Sequence, residues 1–126
     1  MHLAEALKAF DQSLNQIQTA QKTLGFEEGT VWIEWDYVGN PRRVLIATPP
    51  GLVVYTKDQE EWSGRIRSWD AVKPAIQWTV STGPEPAVRP AIELSLGPSD
   101  KFAASDIGGD YSAMLAAFAK ALIQNS

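Results

Sequence analysis

The most constraining feature of the sequence is a series of short β-rich segments separated by turn signals. Residues 30–38 alternate between two faces, and residues 42–48 and 52–57 follow after short gaps rich in glycine and proline. Alternation with a period of two is the pattern of a half-buried strand. Gaps this short join only antiparallel neighbours. The sequence therefore predicts an antiparallel meander of three strands.

Three later segments extend this prediction to a sheet of five to six strands. Residues 65–69 can pair as a fourth strand, and residues 75–82 and 88–96 alternate again. Pro90 lies inside the last segment and cannot donate a hydrogen bond to a neighbour. We therefore expect that strand at a sheet edge, or beginning after Pro90.

Two helices are predicted, one on each side of these strands. Apolar residues recur at spacings of three and four over residues 3–24, with Gln21 as the one polar position of the stripe and Gly25 as a cap. Such a stripe favours a long helix packed on the sheet, and a two-stranded coiled coil is the alternative. A second stripe, from Tyr111 to Leu122, predicts a closing helix capped by Asp110.

The predicted fold class is therefore α+β, with a mostly antiparallel sheet, a long N-terminal helix and a C-terminal helix in two layers. The length of 126 residues and the lack of any linker indicate a single domain over residues 1–126. Residues 97–109 are predicted to form a loop. At that length a loop is uncommon in a compact domain and is a candidate functional segment.

Composition excludes several classes of function. The formal net charge of −4 would repel a phosphate backbone, so we expect no nucleic-acid binding. The chain has no cysteine and one histidine, His2, so thiolate chemistry, a histidine-dependent triad and a zinc site are not expected. No cofactor motif is present. Charged residues interrupt the amino-terminal apolar pattern, which predicts a cytoplasmic protein without a signal peptide or membrane span.

Carboxylates are the remaining acid–base groups. Glu34 and Asp36 should lie on the same face of one strand, about 6.5 to 7 Å apart, a separation that suits a divalent ion or a paired-acid mechanism. The alternative, which we favour, is that they form cross-strand pairs with Arg42 or Arg43. An enzyme is therefore not the favoured interpretation.

Tryptophan is the one compositional excess, with five residues. Trp35 and Trp78 are in phase with aliphatic neighbours and are predicted to be core. Trp32 is out of phase and should share an outward face with residues of the next two strands. Aromatic and arginine side chains dominate the energetics of protein interfaces. The candidate partner-binding residues are Trp32, Arg43, Tyr55 and Lys57, beside Leu45 and Val53. The alternative is that the second helix or the 97–109 loop covers this face.

The function predicted from these patterns is a non-catalytic protein-binding module, an adaptor or a chaperone-like protein that binds another protein; a homodimer is a further expectation. In element order and acidity the chain is similar to the small chaperones of bacterial secretion systems, which also surround a strand meander with helices. The alternative is a small-molecule-binding protein or a carboxylate-dependent enzyme with a site near residues 97–109. No cofactor and no metal are expected in the favoured reading.

Overall fold

The computed structural model describes residues 14–26, 29–36, 38, 40–105 and 110–126. In chain order the helices and strands are α1 (Asn15–Leu24), β1 (Thr30–Trp35), β2 (Pro41–Thr48), β3 (Gly51–Asp58), β4 (Glu61–Arg67), α2 (Trp69–Val72), β5 (Ala75–Val80), β6 (Val88–Gly97), β7 (Asp100–Ser105) and α3 (Asp110–Asn125). The fold is α+β with antiparallel sheets.

The strands form two sheets, and the prediction of one sheet of five to six strands is wrong. The first sheet has the order β1-β2-β3-β4 and the second has the order β5-β6-β7. The break between them lies at α2. Trp69 donates from Nε1 to the carbonyl oxygens of Thr48 (3.0 Å) and Pro49 (3.2 Å), and Lys73 then adopts a left-handed φ of 48°. This anchored turn redirects the chain, so β5 begins a new sheet instead of pairing with β4.

The predicted long N-terminal helix is also wrong. Helix α1 has 10 residues and ends at the left-handed Gly25, as predicted, but it begins at Asn15. The earlier part of the predicted helix, residues 3–13, lies outside the described residues. Ile17 and Gln21 of the predicted stripe are buried, together with Leu14 just before the helix. The stripe packs against the first sheet, because Gln21 contacts Tyr55 of β3.

The first sheet is buried on both faces over β1, β2 and β3. Val31 and Ile33 on one face and Trp32 on the other are all buried, as are their neighbours on β2 and β3. Helix α1 lies against the first of these faces. Residues of β7 reach the second face, where Arg43 lies over the Phe102 ring. The apolar side chains of both sheets and of α1 and α3 join in one buried cluster.

The predicted 97–109 loop is largely a strand. Residues 100–105 form β7, which pairs with β6, and residues 106–109 lie outside the described part of the chain. Strand β6 is therefore central and not an edge. Pro90 pairs with Trp78 of β5, and the described part of β7 ends opposite Ala91, so among the described residues no β7 partner requires a hydrogen bond from Pro90.

Helix α3 matches the predicted closing helix. Its stripe of Met114, Leu115, Phe118 and Leu122 is buried, and the helix contacts β1, β2 and β6. Tyr111 meets Trp35 edge to face, with ring centroids 6.2 Å apart. In the described ranges, no helix combines the length and apolar character needed to cross a bilayer.

Candidate partner-binding groove

Trp32 and Tyr55, which the sequence placed together on an outward face, are buried on opposite faces of the first sheet. Trp32 is 6% exposed and Tyr55 is 4% exposed. The register sets Trp32 opposite Leu45, while Tyr55 lies opposite Val44. The phase prediction was wrong by one residue on β3. Strand β3 already begins at Gly51, paired with Thr48, and this pairing fixes which face each later residue joins.

Tyr55 has a structural contact. Its hydroxyl donates to Oε1 of Gln21 at 2.5 Å, and both side chains are buried. Burial raises the pKa of Tyr55 above its ordinary value of 10.0. The hydrogen bond therefore fixes α1 on the sheet with a neutral phenol.

Glu34 forms the cross-strand pairs that were the favoured alternative to an acidic site. Its carboxylate lies 2.7 Å from Nη2 of Arg43 and 3.2 Å from Nε of Arg42. Asp36 instead closes the turn after β1, where Oδ1 accepts from the backbone N–H groups of Val38 and Asn40 at 2.9 Å. Both carboxylates thus have structural partners.

Arg43 also reaches the second sheet. Its Nη1 lies 3.5 Å from Asp100, and Nη2 of Arg65 lies at the same distance from that carboxylate. These side chains border a depression of about 360 Å³, also lined by Thr56 and Ser63. A site near residues 97–109 would use this depression. Asp100 is the one carboxylate among its described lining residues, and it is already ion-paired.

Lys57, the fourth candidate for partner binding, lies beside β4 and not with Trp32. Its Nζ is 5.7 Å from the centre of the Trp62 ring, within the range of a cation–π contact. Among the described residues, no group of three or more histidine, aspartate or glutamate side chains could hold a metal ion.

The structure exposes a different apolar surface, at the free end of the β5–β6 hairpin. Trp78 is 61% exposed, and Val80 and Val88 are also exposed. Trp78 pairs with Pro90, and Val80 pairs with Val88, in the part of the hairpin that extends beyond β7. The same face is buried further along β6, where it joins the core. The apolar face of the second sheet therefore continues along the hairpin beyond the part that is buried in the core.

Helix α3 forms the other wall of a groove on this face. Ile123, 59% exposed, faces the hairpin, and the small side chains of Ala116 and Ala119 leave space between the two walls. The space is about 410 Å³. We call it the β5–α3 groove; it is lined by Ile76, Trp78, Val88, Pro90, Ala116, Ala119, Lys120, Ile123 and Gln124.

The chemistry of the β5–α3 groove is that of apolar contact. Lys120 and Gln124 are the polar residues among its lining, and both lie on α3. The described lining residues include no carboxylate, hydroxyl or imidazole, which an acid–base or nucleophilic mechanism would require. The groove is suited to receive large apolar side chains, with one cation available for an acidic group beside them.

Sequence reasoning missed this groove because it assigned Trp78 to the core, and that assignment was wrong. Alternation identifies the apolar face of a strand but not how far the opposing layer extends. One signal was present in the sequence. The alternate apolar residues of 76–80 and of 88–92 fall on the same face of the hairpin, and this apolar face is longer than one helical turn can cover. Comparison of the chain with protein families, with curated proteins and with solved structures finds no match.

Proposed function

We propose that the chain is a non-catalytic protein-binding module whose partner inserts apolar side chains into the β5–α3 groove. The observation that carries this proposal is the strong exposure of Trp78, Val88 and Ile123 on one concave surface of a folded chain. Contiguous exposed apolar surface is uncommon on monomers and marks interaction sites. Tryptophan is also the residue most enriched among energetically dominant interface residues.

A protein partner fits the groove better than a small molecule does. Small-molecule sites enclose most of their ligand and place several polar groups around it. Here the largest wall residue, Trp78, is more than half exposed, and besides its indole the polar side chains of the described lining are Lys120 and Gln124, both on α3. An amphipathic helix or an extended segment with large apolar residues would cover both walls at once. Adaptor and chaperone-like roles both fall within this proposal, and a cytoplasmic location stays a prediction.

The test fills the groove without changing charge. Ala116→Phe places a ring between the walls, whereas Ala113→Phe makes the same change one helical turn away, outside the groove lining. Both alanines are exposed, so both variants should fold with nearly unchanged melting temperatures. We expect a protein captured from the host lysate by the wild-type chain and by the Ala113→Phe variant to be lost from the Ala116→Phe variant.

Two results would contradict the proposal. One is equal capture by both phenylalanine variants, which would place the partner elsewhere on the chain. The other is no captured protein at all, together with a rise in melting temperature on adding a small molecule. That result would support the small-molecule alternative, for which the depression beside Asp100 is the other candidate.

A further inference from the structure

The two sheets have four edge strands, and three of them carry charged residues. Strand β1 contains Glu34, β7 contains Asp100 and Lys101, and β4 contains Glu61 and two arginines. Charges on edge strands are a common protection against pairing with another chain. Strand β5, with the sequence Ala-Ile-Gln-Trp-Thr-Val, is the only one of the four that has no charge.

Strand β5 also lacks the other protective features. It has no proline, and its register with β6 is regular from Ala75 to Val80. Its residues are exposed except for the half-buried Ile76. Among the described residues, no backbone segment pairs with its outer edge. A strand of six residues thus presents unpaired N–H and C=O groups to solvent.

We infer that the outer edge of β5 pairs with β5 of a second copy of this chain, forming a twofold-symmetric dimer with a continuous six-stranded sheet. Antiparallel pairing of a strand with itself is compatible with a twofold axis perpendicular to the sheet. Such an axis keeps the apolar face of both copies on the same side. Ile76, Trp78 and Val80 of one copy then lie beside the same three residues of the other.

The side-chain pattern of β5 favours a second copy as the occupant of this edge, because antiparallel pairing with itself sets apolar side chains beside apolar ones and neutral polar ones beside neutral polar ones. The chain carries a formal net charge of −4, so most contacts between two copies would bring like charges together. Pairing through β5 avoids this repulsion, because none of the paired residues is charged. On the face of β5 that points away from the groove, Gln77 and Thr79 lie beside the second copy, and both side chains are neutral and polar.

The dimer would change the shape of the proposed partner site. Because both apolar faces lie on the same side, the two β5–α3 grooves become one surface, with the two Trp78 side chains near its centre. The pairing itself does not depend on the proposed function, since it uses the backbone edge of β5 and not the groove. The two proposals can therefore fail separately.

Sedimentation velocity over a wide range of concentrations tests the pairing. The wild-type chain should sediment as a dimer that dissociates on dilution. The double variant Gln77→Lys/Thr79→Lys places like charges across the axis, on the face away from the groove, and should be a monomer with an unchanged far-ultraviolet circular dichroism spectrum. The matched control, Ala103→Lys/Ser105→Lys, adds the same charges to the exposed face of the opposite edge strand and should stay dimeric.

A spin-label distance provides a second readout that does not require the lysine variant to fold. The natural chain has no cysteine, so Gln77→Cys and Ala103→Cys each introduce a single label site. The interspin distance from position 103 should be clearly longer than that from position 77, since each label at 103 lies two strand spacings of about 4.8 Å further from the axis across the sheet.

A wild-type chain that is monomeric at every concentration would overturn the inference, as would a dimer unaffected by the lysines at 77 and 79. Position 103 giving the shorter distance would also overturn it. The Ala116→Phe variant separates the two proposals: it should remain a dimer while losing its partner. If the wild-type chain is monomeric but captures the partner, and the Ala116→Phe variant loses it, the groove remains the proposed site and the β5 pairing is overturned.

Discussion

Tyr55 and Gln21 join α1 to the first sheet through a hydrogen bond between two buried side chains. The amide nitrogen of Gln21 has no hydrogen-bond partner among the described residues, so the phenol supplies the contact that offsets the cost of burying this amide. A buried polar group that loses its partner bears its full desolvation cost. The free energy of unfolding should therefore be sensitive to either side chain.

Replacing Tyr55 with Phe removes the donor and leaves Oε1 of Gln21 unsatisfied. We expect a loss of about 1–3 kcal/mol in the free energy of unfolding, measured by urea denaturation. The double variant Tyr55→Phe/Gln21→Leu removes both partners and should be more stable than the single variant. Equal stability of the two variants would show that the hydrogen bond does not hold the helix.

The raised pKa of Tyr55 predicts a loss of stability in alkaline solution. The phenol is held neutral by burial in the folded chain but ionises near its ordinary value of 10.0 in the unfolded chain. Its contribution is fully present below pH 10 and is lost as the pH rises through the higher folded pKa. The wild type should lose more stability than Tyr55→Phe between pH 9 and 11, a range of about one unit either side of the ordinary pKa of 10.0 that applies to the unfolded chain. Parallel pH profiles would contradict this.

At the scale of elements, helix α1 is a cover for one face of the first sheet. Ile17 is fully buried on the stripe, whereas Leu24 at the end of the same helix is 65% exposed. The two aliphatic residues thus provide a matched pair of positions that differ in burial.

Ile17→Ala should lower the free energy of unfolding by about 2–5 kcal/mol, because it removes buried atoms and leaves a cavity. Leu24→Ala should change it by less than about 0.5 kcal/mol, as for other exposed positions. Denaturation of both variants under the same conditions gives the comparison. Similar losses at both positions would mean that the helix stripe is not what packs on the sheet.

Much of the element order could be predicted from the sequence. The β1–β2–β3 meander and helix α3 follow from strong local periodicity and from glycine and proline at the turns. The division into two sheets could not be predicted, because it depends on a contact between Trp69 and the distant turn after β2. Strand β7 was missed for a related reason: residues 100–105 have one large apolar side chain, Phe102, and the strand exists through its pairing with β6.

The candidate site was less predictable than the fold. Trp32 and Tyr55 were correctly identified as aromatic residues on strands, but strand phase does not show what covers a face. Both are buried: Tyr55 bonds to Gln21 of α1 on one face of the first sheet, and Trp32 lies on the other face, which Phe102 of β7 reaches at Arg43. Trp78 is exposed because the α3 residues across the groove from it include the small Ala116 and Ala119, which leave the space open. The extent of each layer is a property of the assembled tertiary structure.

At the scale of the whole molecule, the large apolar side chains that stay exposed among the described residues are concentrated on one surface, which carries Trp78, Val80, Val88 and Ile123. Both faces of the first sheet are covered over β1–β3, and the exposed face of the second sheet carries small or polar side chains such as Ala91 and Gln77. The β5–α3 groove and the adjacent edge of β5 combine apolar side chains with unpaired backbone groups. We therefore expect binding to protect this region and to leave the rest of the surface unchanged.

Hydrogen–deuterium exchange of the chain, alone and in complex with its captured partner, decides whether the partner binds in the β5–α3 groove. We expect the partner to slow exchange in residues 75–80, 88–90 and 116–124 and to leave β1 to β4 unaffected. Protection confined to β1–β4 or to the depression beside Asp100, with residues 75–80 and 116–124 unchanged, would contradict it and place the binding surface elsewhere.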